Sequence, residues 1–339
     1  MRKQKRQMCV RRMLLFFLAC VLICAAPPSA AQAAIMQTAK NSAVQKKKTS
    51  TKTVTIETSG GITKKKVKSG GSVILPVEVN KRGYTFLGWS TVPGQTCNPM
   101  YQAYQKIQVT KNIHLYPVKY KWNQEPDIYA GGLADSVEKY DKIIFVGDSR
   151  TAGIQATLNK QMSSSVTNGV SFVANPGKGL SWFRDTGYAQ LIEEIDKTEG
   201  SKPIAVIFNL GVNDLGNAGN YVSYMTSIAS TLKSKNCKLF YMSVNPINST
   251  MITKAGRGAR TEAQVREFNS KIRSGLSLDY KYIDMYSVLM KKGYGTNASY
   301  NGTDADSDDG LHYTTKTFKR IYYYCITYLN TGSINASYY

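Results

Sequence analysis

From Tyr140 onward the chain alternates short apolar runs with amphipathic stretches. Residues 142–147, 170–175, 203–210, 238–244 and 281–285 read as strands. Residues 186–197, 218–235, 261–277 and 314–329 repeat apolar positions at helical spacing. Strand alternating with helix implies parallel pairing, and hence an α/β doubly wound sheet with helices on both faces. A segment of about 195 residues can bury a full core as one domain. This domain is expected over 140–332, with a short tail at 333–339.

The pattern before it differs. Val54-Thr55-Ile56 alternates like a strand, Gly60-Gly61 turns, and Val73 to Val77 reads as another strand. Arg82 to Ser90 follows as Arg-Gly-Tyr-Thr-Phe-Leu-Gly-Trp-Ser, and Ile113 to Val118 closes the segment. The Gly-Tyr-Thr-Phe-x-Gly-Trp core resembles an internalin-type B-repeat, which implies a small β-grasp-like module over residues 53–121. The usual Leu-Tyr-Ala-x-Trp ending is altered here to Leu115-Tyr116-Pro117-Val118-Lys119, so the last strand is free to end differently. Tyr84, Phe86 and Trp89 are either this module's core or a platform for glycan. Residues 122–139, with Pro126 and Gly131-Gly132, read as a linker.

The first 33 residues read as a secretory signal. Arg2, Lys3, Lys5, Arg6, Arg11 and Arg12 precede an apolar run from Met13 to Ala26, and Ala31-Gln32-Ala33 suits a cleavage site. The run is short for a membrane span of about 20 residues, and no other stretch is apolar enough, so no span is expected after cleavage. The expected location is secreted or extracellular, in association with a cell surface. Residues 34–52 read as a basic flexible linker.

The formal net charge is +22, much of it near Lys46-Lys47-Lys48 and Lys64-Lys65-Lys66. In an exported protein this fits either an anionic cell-wall surface or a solvated arm. No nucleic-acid motif accompanies the lysines, so no nucleic-acid partner is expected. Removal of the signal leaves Cys97, Cys237 and Cys325, an odd number without a disulfide framework. Cys237 and Cys325 read as buried small hydrophobes. No Cys/His cluster has ligand spacing, so neither metal nor cofactor is expected.

Four blocks carry chemistry. Gly147-Asp148-Ser149 ends the first strand of the larger domain. Asn175-Pro176-Gly177-Lys178-Gly179-Leu180 follows the second, and Leu210-Gly211-Val212-Asn213-Asp214 follows the third. Asp309-Gly310-Leu311-His312 precedes the last helix. Three of these follow strands directly, so they gather at the sheet edge where open α/β sheets bind ligands. A serine hydroxyl is a weak nucleophile until a base takes its proton. The chain has two histidines, and His114 lies in the repeat with no serine or acid close by. His312 is therefore the candidate base. Asp309, three residues before it, can hold one imidazole nitrogen and leave the other for Ser149. Backbone N–H groups of Ser149 and of the glycine turn, with the Asn213 amide, can stabilise an oxyanion.

These four blocks, in this order, resemble the GDSL or SGNH hydrolase family over about residues 140–332. The resemblance implies a flavodoxin-like five-stranded parallel sheet and serine ester hydrolysis. Residue by residue it carries the family's Ser, Gly, Asn and His onto Ser149, Gly179 (with Gly177 as alternative), Asn213 and His312, and its Asp-x-x-His acid onto Asp309. Arg150 stands where the family name has leucine. It is a candidate for substrate binding, or for pairing with Asp148 or Asp214. Asn245, before Pro246, is a second substrate-binding candidate. Asp304, Asp306 and Asp308 read as a solvated acidic loop, and Asp308 is the rival orienting acid.

The expected activity is that of an exported serine ester hydrolase forming an acyl-enzyme on O-acylated, chiefly O-acetylated, carbohydrate or a related small ester. The alternatives are a lipid-directed esterase or an O-acyltransferase of the same mechanism, and a cell-wall-binding adhesin with an inactive hydrolase domain.

Overall fold

The computed structural model describes residues 50–78, 83–126, 138–163, 167–299 and 301–334. The expected signal, most of the basic linker, and residues 127–137 of the expected connection lie outside them.

The repeat contributes β1 (Thr51–Thr58), β2 (Gly61–Lys68), β3 (Gly71–Ile74), β4 (Tyr84–Ser90), β5 (Lys106–Val109) and β6 (Ile113–Lys121). Four of these form a sheet in the order β2-β1-β6-β4, and β3 pairs with β5. β6 runs through the altered ending to Lys121: Pro117 takes its place opposite Trp89 in the antiparallel β4–β6 pairing. Val54, Ile56, Leu75, Phe86, Trp89 and Leu115 fill the core. Phe86 and Trp89 meet edge to face at 5.2 Å, and Trp89 Nε1 donates to the Pro76 oxygen at 2.9 Å. Both rings are thus interior groups rather than an exposed platform. Phe86 and Trp89 are three residues apart, so strict strand alternation would send them to opposite faces. The register shifts between Phe86 and Gly88, and this bulge turns both rings into one core. It also frees Leu87 to pack, with Val118 and Tyr120 of β6, into the apolar cluster of the larger domain.

That domain is built on β7 (Lys142–Gly147), β8 (Val170–Ala174), β9 (Ile204–Asn209), β10 (Cys237–Met242) and β11 (Lys281–Ile283). All pair in parallel, in the order β11-β10-β9-β7-β8. This is the doubly wound, flavodoxin-like order. Every residue of β9 is buried, as befits a central strand covered on both faces. From β7 the chain moves to one side of the sheet, and from β9 to the other. β7 and β9 are neighbours with Gly147 level with Asn209, so a crevice opens at their carboxyl ends.

The helices are α1 (Ser149–Gln161), α2 (Leu180–Trp182), α3 (Tyr188–Asp196), α4 (Ala218–Ser234), α5 (Ser249–Lys254), α6 (Glu262–Gly275), α7 (Met285–Lys292) and α8 (Thr315–Thr331). A π turn over Phe183–Gly187 joins α2 to α3. α1, α5 and α7 go beyond the sequence expectation, and α7 begins where the fifth strand was expected to continue. α1 lies close on α8: a Cβ at Gly153 would come within 2.8 Å of a Phe318 ring carbon.

The repeat and the larger domain fall within one compact unit. Glu125, expected in the linker, is buried beneath α8. Its Oε1 accepts from Arg320 Nη1 at 2.9 Å and from the Thr317 hydroxyl, and its Oε2 accepts from Thr314 Oγ1 at 2.7 Å. Arg320 is buried as well and donates to the Gly293 oxygen at 3.0 Å. Tyr120 lies over Gly293, where even a methyl group would collide with its ring. Cys97, Cys237 and Cys325 are unpaired, the last two buried.

Candidate active site

Ser149 opens α1 at the carboxyl end of β7. Asp148 caps the helix, its carboxylate accepting the Arg150 N–H at 2.9 Å. Gly147 admits the tight turn because Thr151 and the Asn209 main chain crowd the space a side chain would need. Ser149 is 6 % exposed, at a helix N-terminus whose dipole favours developing negative charge. Burial pushes the Asp148 carboxyl up to about 6, against the opposing pull of Arg150.

His312 and Asp309 meet in a tight loop. Asp309 Oδ2 stands 2.7 Å from His312 Nδ1. Asp309 Oδ1 accepts the N–H groups of Leu311 at 3.0 Å and His312 at 2.9 Å. Burial would raise the Asp309 pKa, but the hydrogen bonds and charge of His312 outweigh it and hold the carboxyl below its ordinary value. Gly310, at φ +69°, lets the loop turn against α5, where a Cβ would lie 2.6 Å from the Ile252 nitrogen. Asp308 points elsewhere, accepting the Gly310 N–H at 2.8 Å and the Thr296 hydroxyl at 3.1 Å. Asp309, not Asp308, is therefore the carboxylate on the imidazole. His114 sits in the repeat, 3.5 Å from Glu57 and stacked on Tyr116.

Asn213 follows β9. Its amide donates to the Lys178 oxygen at 2.9 Å, and its Oδ1 accepts from Arg260 at 3.4 Å. It is thereby tied to the glycine turn. The two glycines of that turn serve different needs. Gly177 has open space around it but a φ of +73°. Gly179 lies against Asp214, whose Cγ would be 2.7 Å from an added Cβ. Asp214 accepts the Leu180 N–H at 3.0 Å and the Tyr221 hydroxyl at 2.7 Å, which fixes the turn. The N–H groups of Ser149 and Gly179 donate to no other described residue.

Arg150 does not face substrate, nor does it pair side chain to side chain with Asp148 or Asp214. It is 2 % exposed. Its guanidinium donates to the main-chain oxygens of Leu311 at 2.9 Å, Asn245 at 2.8 Å and Pro246 at 3.3 Å. It also lies over the Tyr313 ring, 5.0 Å from the centroid. Asn245, the other substrate-binding candidate, is 1 % exposed; its main-chain oxygen accepts from Arg150, while its side-chain Oδ1 has no hydrogen-bond partner among the described residues. The placement of Arg150 has a plain cause: it bridges the loop after β10 and the His312 loop.

Two residues that no local pattern announced stand beside Asn213. Arg257 and Arg260, between α5 and α6, line a cavity of about 330 Å³ with Asn213 and Asp214. Arg257 reaches to 3.7 Å from Asp309. Among the described residues no group of three His, Cys, Asp or Glu side chains is placed to hold a metal. No described helix is long and apolar enough to cross a membrane.

A strand-end serine, a His–Asp pair and an asparagine thus lie in the loops around the switch point of a parallel sheet. The family model for GDSL-like lipase/acylhydrolase matches residues 143–324, more than half of the chain, and the Listeria-Bacteroides repeat domain matches residues 53–118. The chain belongs to the GDSL-like lipase/acylhydrolase family and is a carboxylic ester hydrolase. Comparison with curated proteins finds no match. Among solved structures, similarity extends to a candidate acylhydrolase from Bacteroides fragilis (15 % identity, 62 % of this chain and 92 % of that one, TM-score 0.39). A candidate SGNH hydrolase from Slackia heliotrinireducens aligns at 12 % identity over 56 % and 98 % of the two chains, TM-score 0.41. A psychrotrophic esterase from Pseudoalteromonas sp. aligns at 14 % over 57 % and 97 %, TM-score 0.34.

Proposed function

We propose that this protein is an exported serine esterase that removes small acyl groups, chiefly acetyl, from carbohydrate through an acyl-enzyme. The observation that carries the proposal is the buried Asp309–His312 pair, 2.7 Å apart, in the loop that Arg150 of the Ser149 helix holds through Leu311.

In this reading His312 Nε2 takes the Ser149 proton as Oγ bonds to the ester carbonyl carbon. Asp309 holds the tautomer and stabilises the imidazolium. The oxyanion accepts from the N–H groups of Ser149 and Gly179 and from the second hydrogen of the Asn213 amide, the first being used on Lys178. Collapse breaks the bond to the alcohol oxygen, which leaves with the proton from His312. Water then attacks the acyl carbon and gives a proton to His312. The second collapse releases the acid and returns that proton to Ser149.

The export signal supports a substrate outside the cell. The lysines of β2, whose residues 61–66 are all exposed, support attraction to an anionic surface.

Turnover of p-nitrophenyl acetate tests the assignment. Ser149→Ala should lower kcat by about 10⁴-fold or more with the fold retained, and retained turnover overturns it. A chain-length series should favour acetyl, and a preference for chains of about eight carbons or more would move the substrate to lipid.

A further inference from the structure

The cavity beside Asn213 has the wrong chemistry for an acyl chain and the right chemistry for an anion. Its walls include Asn213, Asp214, Arg257, Arg260 and Gln264. Asp214 makes no ion pair with either arginine; its oxygens accept from the Leu180 N–H and the Tyr221 hydroxyl.

Arg260 is held entirely by neutral oxygens. It donates to the Val212 carbonyl at 2.8 Å, the Arg257 carbonyl at 2.6 Å and the Asn213 side chain at 3.4 Å. A guanidinium fixed by carbonyls keeps its full charge while its position is set in advance. Burial and the Arg150 charge both push its pKa below the ordinary arginine value, which marks a locality already rich in cation.

Arg257 is half exposed, and one nitrogen, Nη2, lies 3.7 Å from Asp309. That distance is too long for a hydrogen bond. Its remaining donors engage no described residue. The planar fork of arginine suits carboxylate or phosphate oxygens. Gly256 and Gly258, at φ +65° and +79°, shape the exposed turn that presents it.

We infer that this cavity is the subsite for the alcohol part of the substrate, and that Arg257 and Arg260 there bind an anionic group, a carboxylate or phosphate carried by the sugar. The inference rests on the serine-esterase reading for its place in the reaction. An acetyl group needs no space of this size, whereas a charged monosaccharide fits within it. Asn213 links the subsite to the reacting carbonyl, so an anion seated on the arginines orients the ester beside Ser149.

The test compares kcat/KM for O-acetylated glucuronic acid, the neutral O-acetylated glucuronamide and an O-acetylated glucose phosphate. The wild-type protein should prefer an anionic ester to the amide by about tenfold, and the faster of the two anions identifies the group. In Arg257→Gln and Arg260→Gln the preference should fall towards one, whatever happens to the absolute rates. A wild-type preference near one, or one that survives in Arg257→Gln, overturns the inference. Titration of glucuronate and glucose phosphate into the Ser149→Ala protein separates the two proposals. Anion binding that Arg257→Gln abolishes, in a protein whose wild type cuts no ester, supports the subsite and sinks the esterase reading. Ester cleavage without anion preference does the reverse.

Discussion

Arg150 Nη1 lies 2.8 Å from the main-chain oxygen of Asn245, tying the residue after Ser149 to the loop beyond β10. The same guanidinium holds Leu311, the residue before His312. One buried side chain thus joins the helix that carries the serine to the loop that carries the histidine. Arg150→Leu should remove both ties and leave buried carbonyls without donors, each costing about 1–3 kcal/mol. Urea unfolding should show a loss of about 3–5 kcal/mol, and a loss under about 1 kcal/mol would mean that the carbonyls find other partners.

Asp309 faces the imidazole with one oxygen and two main-chain N–H groups with the other. Asp309→Asn keeps the acceptor for Leu311 and His312 but presents an amide to Nδ1. The imidazole then loses its anion and its preferred tautomer. kcat on p-nitrophenyl acetate should fall by about 10²–10⁴-fold, while the melting temperature changes little. A loss below tenfold would remove Asp309 from the mechanism.

Asp148 gives the protein a pH dependence of definite sign. Its carboxyl moves from the ordinary 3.8 to about 6 because burial disfavours the charge. The folded state therefore holds this proton more tightly than the unfolded chain. The stabilising contribution is complete below about 4 and is lost as pH rises through about 6. Two units correspond to about 3 kcal/mol. Asp148→Asn keeps the helix cap and removes the titration. Relative to wild type, its unfolding free energy should rise by about 3 kcal/mol between pH 4 and pH 7 in urea melts. Parallel curves would show that folding leaves the Asp148 pKa unshifted.

The two glycines of the 177–179 turn should respond differently to alanine. At Gly177 the space is open and the cost is the positive φ, about 1 kcal/mol of stability, with kcat almost unchanged. At Gly179 the new methyl group meets Asp214, which anchors the turn, so the N–H proposed to serve the oxyanion moves. Here kcat should drop by about 10²-fold or more. Equal effects on kcat would make the assignment of Gly179 as donor untenable.

β7 and β9 could be read in advance because parallel strands covered on both faces are nearly unbroken apolar runs; β8 and β11, at the sheet edges, are only partly buried and stood out by their place between amphipathic stretches. α1 escaped that reading for the opposite reason. Its buried face mixes Ser149, Arg150, Thr151, Gly153 and Thr157 with only Ile154 and Leu158, which dilutes the apolar spacing, and Phe318 of α8 packs on Gly153. α7 did carry a local signal in its cap: Asp284 accepts the Ser287 N–H at 3.2 Å, the pattern that marks a helix start. Asn248 caps α5 in the same manner, accepting the Met251 N–H at 3.3 Å.

Within the site, Asp309 and His312 were legible because three residues separate them and their geometry is local. Arg150 was legible as a departure but not in its role, since its acceptors lie 95 residues and more away. Arg257 and Arg260 lie in a stretch with no periodicity or motif. Only the fold brings them to Asn213.

The Glu125–Arg320 pair spans 195 residues of sequence. The larger domain, severed from its repeat and from Glu125, would leave Arg320 of α8 buried with no anion, and would open the apolar seat of Leu87, Val118 and Tyr120 to water. Breaking such a buried pair from one side costs about 3–5 kcal/mol. The two modules have therefore ceased to be interchangeable parts. Exchanging this repeat for another would require a matching change at Arg320, near the far end of the chain.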